Sequence, residues 1–143
     1  MENRKIRVGI THGDINGVGY EVILKTFSDP TMLELCTPVV YGSPKVAAYH
    51  RKAMEIQTSF SIVNSAEEVQ DGRVNVVNCI EEELKVELTK PTPEAGKAAL
   101  AALERALADY REGLFDVLVT APINKENVQE AGFGFTGHTE FFA

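Results

Sequence analysis

Three short stretches of the chain hold the residue types that chemistry needs. The first is Gly13-Asp14-Ile15-Asn16-Gly17-Val18-Gly19-Tyr20-Glu21, directly after an alternating apolar segment. A strand-to-helix junction of this kind suits an anion or a nucleotide, because free N–H groups at a helix N-terminus point toward the ligand. Its glycines allow close approach and unusual dihedrals. The spacing is G-x-x-x-G-x-G, which is neither the dinucleotide fingerprint nor the phosphate loop. The alternative is a tight turn in which Asp14 or Asn16 caps the helix. The second stretch is Thr120-Ala121-Pro122-Ile123-Asn124-Lys125, at the end of an apolar run. Ligands of open α/β sheets collect at the carboxyl ends of strands. Lys125 falls in the first turn of a helix capped by Asn124, where a cation is disfavoured by about 0.3–1 kcal/mol. A lysine kept there suits a phosphate or carboxylate contact; the alternative is a side chain bent into water. The third stretch is Gly137-His138-Thr139-Glu140. His138 can donate to an anionic group, and Thr139 and nearby N–H groups can add bonds. The alternative makes Thr139 an N-cap with His138 packed beside it.

The remaining titratable residues narrow the choice. His12 lies in the first turn, where it either touches a ligand or supports the loop. His50 stands mid-helix beside Arg51 and Lys52 and reads as a surface residue. The three histidines show no H-x-x-x-H spacing, so they make no metal site by themselves. There is no Ser-His-Asp arrangement or G-x-S-x-G elbow, and no catalytic residue is assigned. Cys36 and Cys79 form no C-x-x-C pair and read as free thiols. The net charge is −7, and the lysines and arginines are scattered, which argues against a nucleic-acid partner. No run is long and apolar enough to cross a bilayer. The N-terminus lacks the apolar stretch and cleavage site of a signal peptide. A cytoplasmic protein is the simplest reading.

These stretches need a scaffold, and the pattern supplies one. Residues 5–11 alternate as a strand. A helix over residues 20–27 follows and ends at Asp29-Pro30. A strand at 37–42 leads into a helix at 45–53, with Ser43 as cap and Pro44 in the first turn. Short strands follow at 59–63 and 73–78. Residues 79–93 are acidic and show no clear period. Thr92 then caps the longest helix, where Leu100, Leu103, Leu107 and Tyr110 recur at helical spacing and Gly113 marks the end. Residues 115–120 form a nearly continuous apolar run, which predicts a strand buried on both faces. Asn124 opens a short helix that Gly132 ends. Alternating strands and helices predict an α/β fold with a largely parallel sheet and flanking helices. The last residues read as the entry to a further helix with Phe141 and Phe142 lacking cover, so a truncated chain is expected.

Taken in order, the three stretches resemble the 4-hydroxythreonine-4-phosphate dehydrogenases. Residues 13–21 resemble that family's G-D-P-A-G-I-G-P-E, residues 120–125 its T-A-P-I-N-K, and residues 135–143 its F-x-G-H-T-E-F-L-A. Ile15, Asn16 and Tyr20 depart from the commoner proline, alanine and proline. The resemblance implies an isocitrate/isopropylmalate dehydrogenase-like fold of two α/β domains, of which residues 1–143 are an incomplete N-terminal portion. It implies NAD-dependent oxidation of 4-phosphooxy-L-threonine, then decarboxylation to 3-amino-2-oxopropyl phosphate for pyridoxal phosphate (vitamin B6) synthesis. It implies a homodimer and a divalent metal (zinc, magnesium or cobalt) held by histidines beyond this sequence. His138 and Thr139 are the expected substrate contacts, and Asp14, Asn124 and Lys125 are placed in the cleft. The 143 residues alone are expected to be inactive. The competing expectations are a dehydrogenase for a related hydroxy acid and a non-catalytic module that binds a phosphorylated metabolite.

Overall fold

Alternating side chains make Ile6–Thr11 the first strand, β1, inside a parallel sheet. The computed structural model describes residues 5–80, 84, 86–124 and 127. Among these, β1 is followed by α1 (Gly19–Thr26), α2 (Pro30–Leu35), β2 (Cys36–Gly42), α3 (Pro44–Ala53) and β3 (Phe60–Val63). A 3₁₀ turn (Ala66–Glu68), β4 (Val74–Asn78), α4 (Pro93–Arg111) and β5 (Val117–Thr120) complete the order.

The helix starts obey local chemistry. Ser43 accepts from the Val46 N–H and Thr92 from the Ala95 N–H, each followed by proline in the first turn. The short helix α2 is an addition to the sequence reading. Asp29-Pro30 does stop α1, but the Asp29 carboxylate accepts from the Thr31 N–H and Pro30 opens a new turn. One dipeptide serves as both stop and start. Residues 79–93 contain no helix or strand among those described until α4 begins.

The strand order is β3-β4-β2-β1-β5, and every pairing is parallel. Ile10 sits opposite Val40 on one side and Val119 on the other. One face of the sheet packs Ile10, Val40 and Val76 against Ile23 and Leu24 of α1 and Val46 and Ala47 of α3. The other packs Val39, Tyr41 and Val77 against Ala102 and Ala106 of α4, with Phe115 beside them. The buried alanines of α4 let that helix lie close to the sheet. On this face the Tyr41 hydroxyl donates to the Asp109 carboxylate at 2.8 Å, and Arg105 pairs with the same carboxylate at 3.5 Å.

The expectation for β5 needs correction. Val117 and Val119 are 49% and 48% exposed, so the strand is not buried on both faces. It ends the strand order, and α4 covers the side that carries Leu118. A continuous apolar run shows that both faces are apolar, not that both are covered. Both cysteines are free thiols, and burial pushes the Cys79 thiol up to about 12. Among the described residues no helix is long and apolar enough to cross a membrane.

Candidate functional site

The strand order reverses beside β1. The chain leaves β1 toward β2 on one side and returns much later as β5 on the other. Loops at such a switch point diverge to opposite faces and leave a crevice at the carboxyl ends of the strands. Two of the three stretches singled out in the sequence meet there. The Asp14 N–H donates to the Pro122 carbonyl at 2.9 Å, and the Ala121 N–H to the Thr11 carbonyl at 3.2 Å. Gly13 has φ +69°, and a Cβ there would overlap the Pro122 carbonyl oxygen. Only glycine permits both this dihedral and this approach.

Beneath the loop lies a buried polar cluster. His12 Nε2 is 2.9 Å from the Ala98 carbonyl and Nδ1 is 2.9 Å from the Tyr20 hydroxyl. A carbonyl only accepts, so the ring proton is assigned to Nε2, and Nδ1 accepts from Tyr20. The Tyr20 oxygen in turn accepts from the Ser43 N–H at 2.9 Å. The Ser43 carbonyl, at 3.3 Å, is the longer and weaker alternative for the single phenolic proton. Burial lowers the His12 pKa from 6.5 to about 4; the Ala98 bond opposes that shift and nearby His50 adds to it. Burial also pushes the Tyr20 phenol upward. Both groups are therefore neutral at neutral pH. Of the two roles open to His12, the structure shows the supporting one.

His50 is a correction. It is 1% exposed, stacks on the Tyr20 ring at 5.6 Å, and donates from Nε2 to the Ile15 carbonyl at 2.7 Å. Its basic neighbours Arg51 and Lys52 suggested a surface, but the inward face of α3 carries every fourth residue, and Val46 and His50 share it.

The cap reading of the first loop also fails in detail. Val18 is the N-cap of α1 and makes no side-chain cap bond. Asp14 instead turns its Oδ1 to the Asn16 N–H at 3.0 Å. Asn16 is 1% exposed and points toward residues 87–92. The amino end of α1 thus takes no side-chain oxygen from its own loop. The sequence does not announce Asn16 and Tyr20 as structural anchors, since Asn16 bonds residues 87–92 and Tyr20 joins His12 to Ser43 on another element.

Of the residues placed in the cleft, Asp14 and Asn124 lie at the ends of β1 and β5. Asn124 Oδ1 accepts from the Asn127 N–H at 3.0 Å; apart from Asn127, the helix expected to follow lies outside the described residues. Lys125, His138 and Thr139 lie outside the described residues. The described residues do not fit a metal: no group of three His, Cys, Asp or Glu could hold one. His12 is bonded at both nitrogens and His50 Nε2 donates to the Ile15 carbonyl, which leaves the buried His50 Nδ1 as the one unpartnered ring nitrogen of the pair, and one donor does not make a metal site.

The family described as "Pyridoxal phosphate biosynthetic protein PdxA" matches residues 34–143. A 4-hydroxythreonine-4-phosphate dehydrogenase of Bacteroides thetaiotaomicron is 71% identical over 141 residues, covering 99% of this chain and 39% of the relative. A protein of Oceanobacillus iheyensis, provisionally named a D-threonate 4-phosphate dehydrogenase, is 33% identical over 99% of this chain and 43% of its own length. The crystal structure of a 4-hydroxythreonine-4-phosphate dehydrogenase from Burkholderia phymatum superposes with a TM-score of 0.87 at 29% identity, covering 99% of this chain and 43% of that one. The chain spans about two fifths of the length of the curated relatives it matches. The chain therefore belongs to the PdxA family of pyridoxal phosphate biosynthetic proteins, with that family's isocitrate dehydrogenase-like α/β fold.

Proposed function

We propose that residues 1–143 are an incomplete N-terminal portion of a two-domain, NAD-dependent dehydrogenase that oxidises 4-phosphooxy-L-threonine. The reaction moves a hydride from the carbinol carbon to NAD and releases the hydroxyl proton. The resulting 2-amino-3-oxo acid loses carbon dioxide, leaving 3-amino-2-oxopropyl phosphate for pyridoxal phosphate synthesis. The observation that carries this reading is the 71% identity to the Bacteroides enzyme across nearly the whole chain. The meeting of the two motif loops at the switch point supports it, because that is where an open α/β sheet takes a ligand.

In this reading His138 and Thr139 contact the substrate, and Asp14, Asn124 and Lys125 line the cleft. Backbone N–H groups of the two motif loops are the donors for an anionic part of the ligand. The net charge of −7 makes such local donors necessary, since the surface as a whole repels a phosphate. The divalent metal is held by histidines outside this sequence, so no step is assigned to it here. The enzyme works as a cytoplasmic homodimer.

The test is NADH formation by the complete product of the native gene, given 4-phosphooxy-L-threonine or D-threonate 4-phosphate. We expect turnover with the first substrate, and none from the 143-residue chain alone. Preference for D-threonate 4-phosphate would move the protein to the other branch of its relatives. Turnover by the 143-residue chain would refute the claim that it holds only part of the site.

A further inference from the structure

One side chain ties together three segments at the crevice. Asn16 donates from Nδ2 to the Lys90 carbonyl at 2.8 Å and to Thr92 Oγ1 at 3.3 Å. Its Oδ1 accepts from the Glu87 N–H at 2.7 Å, and its own carbonyl accepts from the Thr89 N–H at 2.9 Å. Its N–H goes to Asp14 Oδ1. Each of its polar groups is therefore matched, as a residue 1% exposed requires.

The links continue past Asn16. Thr92 caps α4, and its carbonyl accepts from Asn127 Nδ2 at 3.1 Å. The Asn127 N–H donates to Asn124 Oδ1 at 3.0 Å. Asn124 lies two residues from Pro122, whose carbonyl receives the Asp14 N–H. The bonds thus close a ring: Asp14, Asn16, Thr92, Asn127, Asn124 and back through Pro122. The ring joins the loop after β1, the start of α4 and the loop after β5.

A second observation shows that the ring holds a conformation the chain would otherwise avoid. Thr89 has φ +67°. A β-branched residue in that region is an outlier that persists only where its surroundings over-determine it. The Thr89 N–H is bonded to the Asn16 carbonyl, and Glu87 and Lys90, two residues before it and one after, are held by the Asn16 side chain.

We propose that Asn16 is a positioning residue: through this ring it fixes the two motif loops relative to each other and so presets the ligand crevice. The proposal rests on the dehydrogenase reading above for its ligand.

The experiment uses the complete gene product carrying Asn16→Ala, Asn16→Asp, or Asn16→Ala with Thr89→Gly. Asn16→Asp keeps the acceptor for Glu87 and loses both donors, and it decides the matter if the alanine variant does not fold. We expect the KM for 4-phosphooxy-L-threonine to rise about tenfold with kcat held within about threefold, the signature of lost ligand binding. Glycine at position 89 takes the left-handed dihedral unaided, so the double variant recovers about threefold of the KM. A lowered melting temperature with KM unchanged would reduce Asn16 to a structural residue and overturn the proposal. Amide hydrogen exchange separates this from the choice of substrate. Faster exchange at the Asp14 and Asn127 amides, neither bonded to the Asn16 side chain, supports the ring. Acceleration confined to Glu87 and Thr89 overturns it. Absence of wild-type turnover with 4-phosphooxy-L-threonine would instead sink the dehydrogenase reading.

Discussion

At the carboxyl end of β1, His12, Asn16, Tyr20 and His50 are each no more than 1% exposed, and each is hydrogen-bonded. One strand away, Val117 and Val119 stand about half exposed, and Val18 and Val22 on the outer side of α1 do the same. The two regions are neighbours in the sheet, yet their construction differs in kind. The loop is held by directional bonds to α3, α4 and residues 87–92. The outer faces of β5 and α1 are apolar and rest on one side only. Of the four polar side chains only His50 Nδ1 lacks a partner, and a polar cluster so nearly matched is rigid and intolerant of change, because every group it loses leaves a buried partner unpaired. A half-covered apolar surface has little to lose.

The largest effect is expected at Gly42. A Cβ there would overlap the Tyr20 hydroxyl and stand 2.6 Å from His12 Nδ1 and 2.8 Å from its Cγ. Neither ring has room to retreat, since Tyr20 is stacked on His50 and His12 is bonded at both nitrogens. Gly42→Ala should cost about 3 kcal/mol, at the upper end for overpacking a well-filled core. Urea unfolding of the wild type and the variant measures it. A loss under about 1 kcal/mol would mean that the cluster yields, and the contrast with β5 would collapse.

Acid comes next. The folded state holds His12 near 4 against 6.5 for the free side chain. Between those values the unfolded chain binds the proton and the folded chain does not. Stability is thus fully present above about 6.5, falls as the pH drops toward about 4, and falls no further from this group below that. A shift of this size corresponds to about 3 kcal/mol. Other groups titrate in the same range, so the readout is the difference between wild type and His12→Gln. The wild-type stability curve should be the steeper between pH 6.5 and 4. Parallel curves would show that His12 is protonated without cost, and that the cluster is looser than its distances imply.

Much of the scaffold was legible because its causes are local. Ser43-Pro44 and Thr92-Pro93 announce their helices through caps that act within three residues. The alternation of residues 6–11 and the apolar run before Thr120 announce strands in the same way. That the two motif loops meet was legible because strand-to-helix junctions of parallel sheets gather at one edge, and the Asp14–Pro122 bond joins them there. What escaped was everything set by distant partners. Nothing near Asn16 foretells residues 87–92, and nothing near Tyr20 foretells Ser43 or His12. Adjacent charges at Arg51 and Lys52 suggest a surface for His50, but helical periodicity puts it beside Val46 on the inward face. Apolar composition predicts cover on both faces of β5 but does not reveal what supplies it. Residues 15, 16 and 20 depart from the resembled loop pattern. In the structure Ile15 is fully buried with its carbonyl bonded to His50, and Asn16 and Tyr20 anchor the loop.

The smallest effect is expected on β5, and it sharpens the contrast from the other side. Val117 and Val119 point to the same face as their register partners Val8 and Ile10, but their own side chains are half in water. Threonine keeps the β-branch that suits a strand and adds a hydroxyl that water can satisfy. Val117→Thr combined with Val119→Thr should therefore change the stability of the 143-residue chain by less than about 0.5 kcal/mol. The same pair should reduce the binding of a hydrophobic dye and any self-association, because an exposed apolar patch drives both. Unfolding midpoints and light scattering read the two outcomes separately. A loss of about 2 kcal/mol would show that this face is packed in solution after all, at the level of a buried side chain. The difference between the two ends of neighbouring strands would then be one of material alone, not of cover.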